Sequence, residues 1–328
     1  MAGFTDYIDL AAERLGGAVL LANDEFFAPK ESLLRARAPE WREGEYTDRG
    51  KWMDGWETRR RRTPGHDWCI LRLGLPGIVH GVVVDTSFFR GNFPESCALD
   101  ATTVMGAAAP DVLADETKTR WTTILQRTPL TGDARNAFAI DGRPSATHLR
   151  LSIFPDGGVA RLRVHGEPHF NAQRHRPGSE VDLAAMENGG FVVACSDMFF
   201  GHRHNLILPG RSTHMGDGWE TRRRRGPGHD WSIIRLAARG ALHRVEIDTD
   251  HFKGNAPGSA MLELTDSPGV RSALDEPKTA WTVALPQTPL QPHARHAFDV
   301  KTEAATHARL SIYPDGGVAR LRLFGTPS

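Results

Sequence analysis

Apolar and polar residues alternate along much of the chain with a period of two, the spacing that sends successive side chains to opposite faces of a strand. Leu149, Leu151 and Ile153 alternate with His148, Arg150 and Ser152. Pro155-Asp156-Gly157-Gly158 then supplies turn residues, and Leu162 and Val164 alternate with Arg161 and Arg163 on a returning strand, so the segment predicts a β-hairpin. Ala308, Leu310 and Ile312, set against His307, Arg309 and Ser311, predict it a second time. Upstream, Trp68 to Leu73 and His80 to Asp85 predict two strands across Gly74-Leu75-Pro76-Gly77, and Thr119 to Leu125 predicts another. Only Asp9 to Leu15 carries a helical pattern, and it is short.

The second hairpin is one sign of a duplication. Asp9 to Gly17 (DLAAERLGG) returns as Asp182 to Gly190 (DLAAMENGG), an offset of 182 − 9 = 173, and Phe26-Phe27 returns as Phe199-Phe200 at the same offset. Asp54 to Arg62 (DGWETRRRR) returns as Asp217 to Arg225 at an offset of 217 − 54 = 163, so the first copy carries ten extra residues before Asp54. Gly65 to Trp68 matches Gly228 to Trp231, Asp85-Thr86 matches Asp248-Thr249, Gly91-Asn92 matches Gly254-Asn255, and Leu151 to Gly158 matches Leu310 to Gly317. The expected organisation is a first repeat over 1–168, a linker over 169–180 and a second repeat over 181–328. His169 to Ser179 is polar, contains Pro177-Gly178 and lacks an apolar period, as a linker does. With 33 glycines and 21 prolines for turns, the class is all-β. Two tandem jelly-roll β-sandwich modules suit copies of roughly 150 residues.

Length agrees with that division, since 328 residues exceed what one core usually serves. Forty basic and forty acidic side chains cancel, which removes the field of a nucleic-acid binder and favours a small neutral or acidic ligand. Cys69, Cys97 and Cys195 form an odd set without zinc-type spacing, and no apolar run approaches the ~20 residues of a membrane helix. Met1 to Leu10 lacks a basic stretch followed by an apolar one, so a soluble cytoplasmic protein with free thiols is expected, bound to neither nucleic acid nor membrane. Most soluble oligomers are symmetric homo-oligomers, and self-association is expected on that ground.

The chemistry is expected of polar residues that both copies keep. Trp56, Trp68, Trp121, Trp219, Trp231 and Trp281 are assigned to packing. The shared polar set is Asp54, Glu57, Arg59, His66, Asp67, Asp85, Thr86 and Asn92, with Asp217, Glu220, Arg222, His229, Asp230, Asp248, Thr249 and Asn255. For each of these, bracing a loop and serving a site stay equally open. Asp85 and Asp248 close apolar strands and open Thr-containing loops, where a rigid sandwich displays ligand contacts or where an aspartate fixes its own turn. The runs Arg59 to Arg62 and Arg222 to Arg225 lack interleaved aromatics and read as solvated loops or carboxylate clamps. His202-Arg203-His204 would set two imidazoles on one strand face, but the first copy has Pro29 and Glu31 there, and a surface pair is the preferred reading over a metal pair. No cofactor is indicated; an Asp-His-Glu set holding a divalent ion stays open, although no spacing compels one. Nucleophile-elbow, P-loop, dinucleotide and zinc-peptidase motifs are absent.

Phe26 to Leu34 (FFAPKESLL), Trp52 to Arg60 (WMDGWETRR), Asp85 to Asn92 (DTSFFRGN) and the duplicated Asp-Gly-Trp-Glu-Thr motif together resemble the allantoicase family, over Gly16 to Gly325. The resemblance implies a galactose-binding-like tandem jelly roll and hydrolysis of allantoate to ureidoglycolate and urea in allantoin breakdown. Its site is argued from chemistry. Allantoate bears a carboxylate and two ureido groups on one carbon, which call for a cationic fork and paired donors and acceptors. Arg59 or Arg90, with Arg222 or Lys253, suits the carboxylate; Asn92 or Asn255, with an aspartate and the neighbouring Thr86 or Thr249, suits a ureido group. His66 and His229, each followed by an aspartate (Asp67, Asp230), or Glu57 and Glu220, with Asp85 and Asp248, are the candidates for moving protons. The copies differ at Phe88/His251, Arg90/Lys253 and Phe93/Ala256, so one cleft has lost catalysis or a single site draws on both. The competing class is a non-catalytic carbohydrate- or small-ligand-binding sandwich, which would expose aromatics for stacking; the expected placement of most tryptophans in strand or repeat-core positions weighs against it.

Overall fold

The computed structural model describes residues 3–104, 106–171, 175–176, 178–267 and 279–328; Met1, Ala2 and, in the expected linker, 172–174 and Pro177 lie outside them. The chain divides into two compact units, Met1–Glu167 and Pro168–Ser328.

In the first unit the strands are β1 (Ile8–Asp9), β2 (Ala18–Ala22), β3 (Tyr46–Thr47), β4 (Gly50–Lys51), β5 (Trp56–Glu57), β6 (Asp67–Asp85), β7 (Ser96–Thr102), β8 (Thr122–Pro129), β9 (Arg135–Ala139), β10 (Ser145–Phe154), β11 (Gly158–Val159) and β12 (Arg161–Pro168). The spine is β6, and it corrects the sequence reading. The strands expected on either side of Gly74-Leu75-Pro76-Gly77 are one strand of 19 residues. Gly77 makes no turn there: a Cβ would stand 2.2 Å from the Glu167 carbonyl oxygen, so glycine lets two backbones pass.

The first half of β6 lies between β2 and β10, and its second half pairs with β9 and β12, all within one sheet ordered β1-β12-β6-β10-β7-β8. A second correction follows, because β10 and β12 both flank β6 and are not neighbours. The expected hairpin is an arch from one half of the sandwich to the other. Alternation reports which face of a strand is buried but not which strand lies beside it. The helical pattern at Asp9 to Leu15 is strand β1 followed by a single 3₁₀ turn (Glu13–Leu15), and the strand expected at Thr119 to Leu125 runs instead from Thr122 to Pro129. The short α-helix Pro110–Ala114 carried no signal that was read.

Leu149, Leu151, Ile153, Leu162 and Val164 are fully buried, as their alternation predicts, and join Ile70, Leu71 and Leu99 in the core. The second unit repeats the arrangement with β13 (Val181–Asp182), β14 (Phe191–Cys195), β15 (Trp219–Glu220), β16 (Asp230–Asp248), β17 (Ser259–Thr265), β18 (Thr282–Pro289), β19 (Arg295–Asp299), β20 (Ala304–Tyr313), β21 (Gly317–Val318) and β22 (Arg320–Pro327). Its sheet order, β13-β22-β16-β20-β17-β18, is the first unit's order over again. The fold is all-β, in two similar antiparallel sandwich modules. Among the described residues no helix is long and apolar enough to cross a membrane.

Candidate functional site

The arch turn Pro155 to Gly158 mounts the most concentrated polar chemistry in the first unit. Gly157 sits at φ 138, and a Cβ on it would stand 2.7 Å from the Asn92 carbonyl oxygen. The Gly158 N–H donates to that oxygen at 2.8 Å, and β11 pairs with β5 so that Gly158 lies opposite Glu57. One glycine turn therefore fixes both Glu57 and Asn92, whose side-chain Nδ2 donates to Glu57 Oε1 at 2.7 Å.

The loop after β6 is held at further points. Asp85 Oδ1 accepts the Ser87 N–H at 2.9 Å, Thr86 Oγ1 donates to the Thr131 carbonyl at 2.6 Å, and Asp133 Oδ1 accepts the Phe88 N–H at 2.7 Å. Phe88 is thereby kept at φ 70, a conformation costly for a bulky residue. Asp133 Oδ2 also accepts from Arg90 Nε at 3.1 Å. The Phe88 N–H, and Arg90 after it, hold the Asp133 carboxyl below its usual range against the opposing effect of desolvation.

These supports present a cleft of about 620 Å³, with Glu57 and Asn92 on its floor, Phe27 and Phe88 as apolar walls, and Arg90 and Gly91 at its edge. The remaining wall is Trp41, Glu43, Lys51 and Met53, which come from or adjoin the ten residues that the second copy lacks. That segment carries the β3–β4 hairpin, and Lys51 Nζ stands 4.1 Å from the centre of the Trp41 ring. Trp41 in turn lies 6.0 Å from Phe88, centre to centre. The segment is anchored by Asp54, whose carboxylate accepts from Arg161 (2.6 Å), Arg35 (3.1 Å) and the Glu40 N–H (3.1 Å). Against the upward pull of burial, the Arg161 hydrogen bond and the Glu40 N–H keep Asp54 below the usual carboxylate range.

Glu57 is the buried acid of the cleft, 9% exposed, and burial pushes its carboxyl above the usual range, with the Asn92 hydrogen bond a smaller opposing effect. A carboxyl whose pKa is raised by burial holds its proton to higher pH than an exposed one, which suits it to donate that proton to a bound anion.

Of the residues expected from sequence, Glu57, Arg90 and Asn92 meet in this cleft, and the others of the first copy do not line it. Arg59 pairs with Asp24 at 2.7 Å, and Asp67 accepts from Arg61 at 2.6 Å and from Asn23 at 2.8 Å. His66 packs on Phe154 at 4.6 Å, its pKa lowered by burial and then by the Arg150 and Arg61 charges. Asp85 and Thr86 brace the loop from behind. In the second unit the same division holds: Asn255 Nδ2 donates to Glu220 Oε1 at 2.6 Å, while Asp230 pairs with Arg224 and Asp248 Oδ1 accepts the Asp250 N–H at 2.8 Å. Thr249 Oγ1 donates to the Gln291 carbonyl at 2.7 Å, Arg222 pairs with Asp197 at 3.5 Å, His229 packs on Tyr313 at 4.6 Å and Lys253 is exposed. Burial first, then the Arg309 and Arg224 charges, lowers the His229 pKa.

Sequence reasoning missed Phe27, Trp41, Glu43, Lys51 and Met53 as cleft residues; for the hairpin wall the signal was the ten-residue excess between Phe27 and Asp54, and for Phe27 it was the repeated Phe-Phe pair. Trp56 and Trp219 are core residues, whereas Trp68, Trp121, Trp231 and Trp281 are half-buried. His202 and His204 lie at the start of a 3₁₀ turn rather than on a strand, and His204 is buried, so they are not a surface pair. Among the described residues no three His, Cys, Asp or Glu side chains gather as a metal-holding group.

A family model described as the allantoicase repeat matches residues 8–169 and again 181–328. A probable allantoicase of Nocardia farcinica is 50% identical over 327 residues, 98% of this chain and 95% of its own length. One from Pseudomonas aeruginosa is 47% identical over 330 residues, covering 99% and 98%. The crystal structure of allantoicase from Saccharomyces cerevisiae superposes with a TM-score of 0.75 at 32% identity, over 97% of this chain and 92% of that one. A further solved structure of allantoicase gives a TM-score of 0.78 at 31% identity, over 98% and 93%.

Proposed function

The chain belongs to the allantoicase family and hydrolyses allantoate to ureidoglycolate and urea, and from that premise we propose that the reaction runs in the cleft of the first unit. The observation that carries this placement is the buried Glu57 carboxyl, hydrogen-bonded to Asn92 and shifted toward its protonated form, on the floor of a cleft with two cations at its margin.

Lys51 and Arg90 take the substrate carboxylate. Asn92 presents its amide oxygen to a ureido N–H, and Glu43 offers a second acceptor at the hairpin wall. Glu57 gives its proton to the nitrogen of the departing ureido group as the carbon–nitrogen bond breaks, so that urea leaves neutral. The lone pair of the remaining ureido nitrogen supports the electron-poor carbon. Water then adds to that carbon and its proton goes to the Glu57 carboxylate, which restores the acid and leaves a hydroxyl on ureidoglycolate. The apolar walls, Phe27, Trp41 and Phe88, limit the water that competes for these contacts.

Three free cysteines, two of them buried, agree with a cytoplasmic setting, and self-association into a homo-oligomer is part of the same proposal. The placement is tested by Asn92→Ala, assayed for urea release from allantoate. It should lower kcat/KM by about tenfold or more, the usual consequence of leaving a polar substrate group unpaired, with a stability loss of no more than about 1–3 kcal/mol from the missing Glu57 hydrogen bond. A folded variant with wild-type kcat/KM would remove the cleft from the reaction.

A further inference from the structure

The second unit keeps the floor of this cleft and lacks its wall. Asn255 and Glu220 meet at 2.6 Å, as Asn92 and Glu57 meet at 2.7 Å, and His251 holds φ 71 where Phe88 holds φ 70. Lys253 stands at the position of Arg90. Phe200, the counterpart of Phe27, is attached to the floor through its N–H to the Glu220 carbonyl at 3.2 Å.

Among the described residues, the segment between Phe200 and Asp217 forms no β-hairpin. From Phe27 to Asp54 the first copy spans 54 − 27 = 27 positions, and from Phe200 to Asp217 the second spans 217 − 200 = 17. Phe199 and Phe200 are each 61% exposed and Met215 is 45% exposed, with its sulfur 3.3 Å from Asn255 Nδ2. A rim of exposed large apolar side chains around a charged, hydrogen-bonded floor marks a binding surface. Glu220 is only half-buried, and where Trp41 packs on Phe88 in the first unit, His251 meets the Ser212 carbonyl at 3.1 Å, so the surface keeps the recognition pair beside a shorter segment.

We propose that the second unit binds a small acid carrying one ureido group, the chemical class of the organic product, at the Glu220–Asn255 pair, and releases it unchanged. Lys253 takes the carboxylate, Asn255 and Glu220 pair with the ureido group, and the Phe200 ring lies along the carbon chain. The inference rests on the reading of the first cleft, since the floor is interpreted by analogy with it. An open face with few contacts suits a Kd on the order of 1 mM.

The test uses the full chain with ¹³C-methyl methionine and ureidoacetate, which has a carboxylate and one ureido group but no second ureido group. Met53 lines the first cleft and Met215 touches Asn255, so two methyl signals, assigned with Met53→Leu and Met215→Leu, report the two sites separately. Both signals should move saturably, and Asn255→Ala or Lys253→Ala should remove the Met215 response while the Met53 response persists. A Met215 signal that stays still at about 10 mM probe, ten times that Kd, overturns the inference. So does a Met215 response that survives both substitutions. A Met53 signal that stays still while Met215 moves instead sinks the reading of the first cleft and leaves the second site standing.

Discussion

Glu57→Gln separates the proton from every other property of the residue. The two side chains have the same shape, and a glutamine oxygen still accepts from Asn92 Nδ2, the 2.7 Å contact that fixes the floor. At 9% exposure the position has little water to stand in for a lost proton donor. A positioned general acid contributes about 10²–10⁴-fold. At 1.36 kcal/mol per decade that is about 2.7–5.4 kcal/mol of barrier, and it should appear in kcat, because Lys51 and Arg90 still hold the carboxylate. The pH profile gives a second reading. Burial raises the Glu57 pKa, so wild-type turnover should decline as pH rises through the raised value, and the residual activity of the variant should lack that limb. Stability follows the same sign: between the unfolded and the folded pKa the native state holds the extra proton, so stability falls as pH rises across that window. Above it the native state carries a buried charge that glutamine does not, and the variant should melt no lower than the wild type. Urea release at saturating allantoate and thermal melts from acid to neutral pH measure both. A folded variant with near-wild-type kcat, or one that retains the descending limb, refutes the assignment.

Asp133→His with Ser87→Asp copies the second unit, where His293 Nδ1 meets both the His251 N–H and Asp250 Oδ1 at 2.8 Å, so the loop should keep its shape while Arg90 loses the Asp133 carboxylate that aims it. KM for allantoate should rise roughly threefold to tenfold with kcat little changed, as expected for a misaimed binding group; an unchanged KM would show that Arg90 needs no aiming. Arg161→Met breaks the buried pair with Asp54, both nearly inaccessible, and should cost about 3–5 kcal/mol, seen as a lower denaturant midpoint for the first unit. A loss below about 1 kcal/mol, the range of an exposed pair, would show that Arg35 and Arg37 already satisfy Asp54.

The duplication, the all-β class and the buried faces of the strands were legible in the sequence because each is written in local spacing: an offset between copies, a period of two, turn residues at fixed places. Strand partners were not, and the two failures share a cause. Residues 67–85 form a strand long enough to serve both halves of the sandwich, so Gly77 marks a crossing of backbones rather than a turn, and β10 and β12 are separated by the strand they both flank. Within the cleft, Glu57, Arg90 and Asn92 were named from their residue types. Trp41, Glu43 and Lys51 were not, because they sit in a segment with no counterpart to compare. Arg161 was overlooked as the partner of Asp54, since the two are 107 positions apart and only the arch brings them together.

What the two copies share and what they do not now divide by physical role. Asp54 and Asp217 are each bound to a buried arginine, Asp67 and Asp230 to Arg61 and Arg224, and Asp85 and Asp248 to the backbone two residues on. Thr86 and Thr249 close the same loop contacts from inside the core. These side chains are ionic or polar because they tie irregular backbone to a rigid sandwich, a task set by the fold and therefore identical in both copies. Of the shared polar set in the first unit, Glu57 and Asn92 line the cleft, and the equivalent Glu220–Asn255 pair keeps the same hydrogen bond. Enclosure comes from ten residues present once, carried by Asp54 at one end and closed by Lys51 over Trp41. Enclosure buries Glu57 and shifts its carboxyl toward the acid form; Glu220, without it, stays half-exposed. The proposed placement of the reaction in the first unit thus rests on the segment that only that copy carries, together with the buried Glu57 carboxyl beneath it.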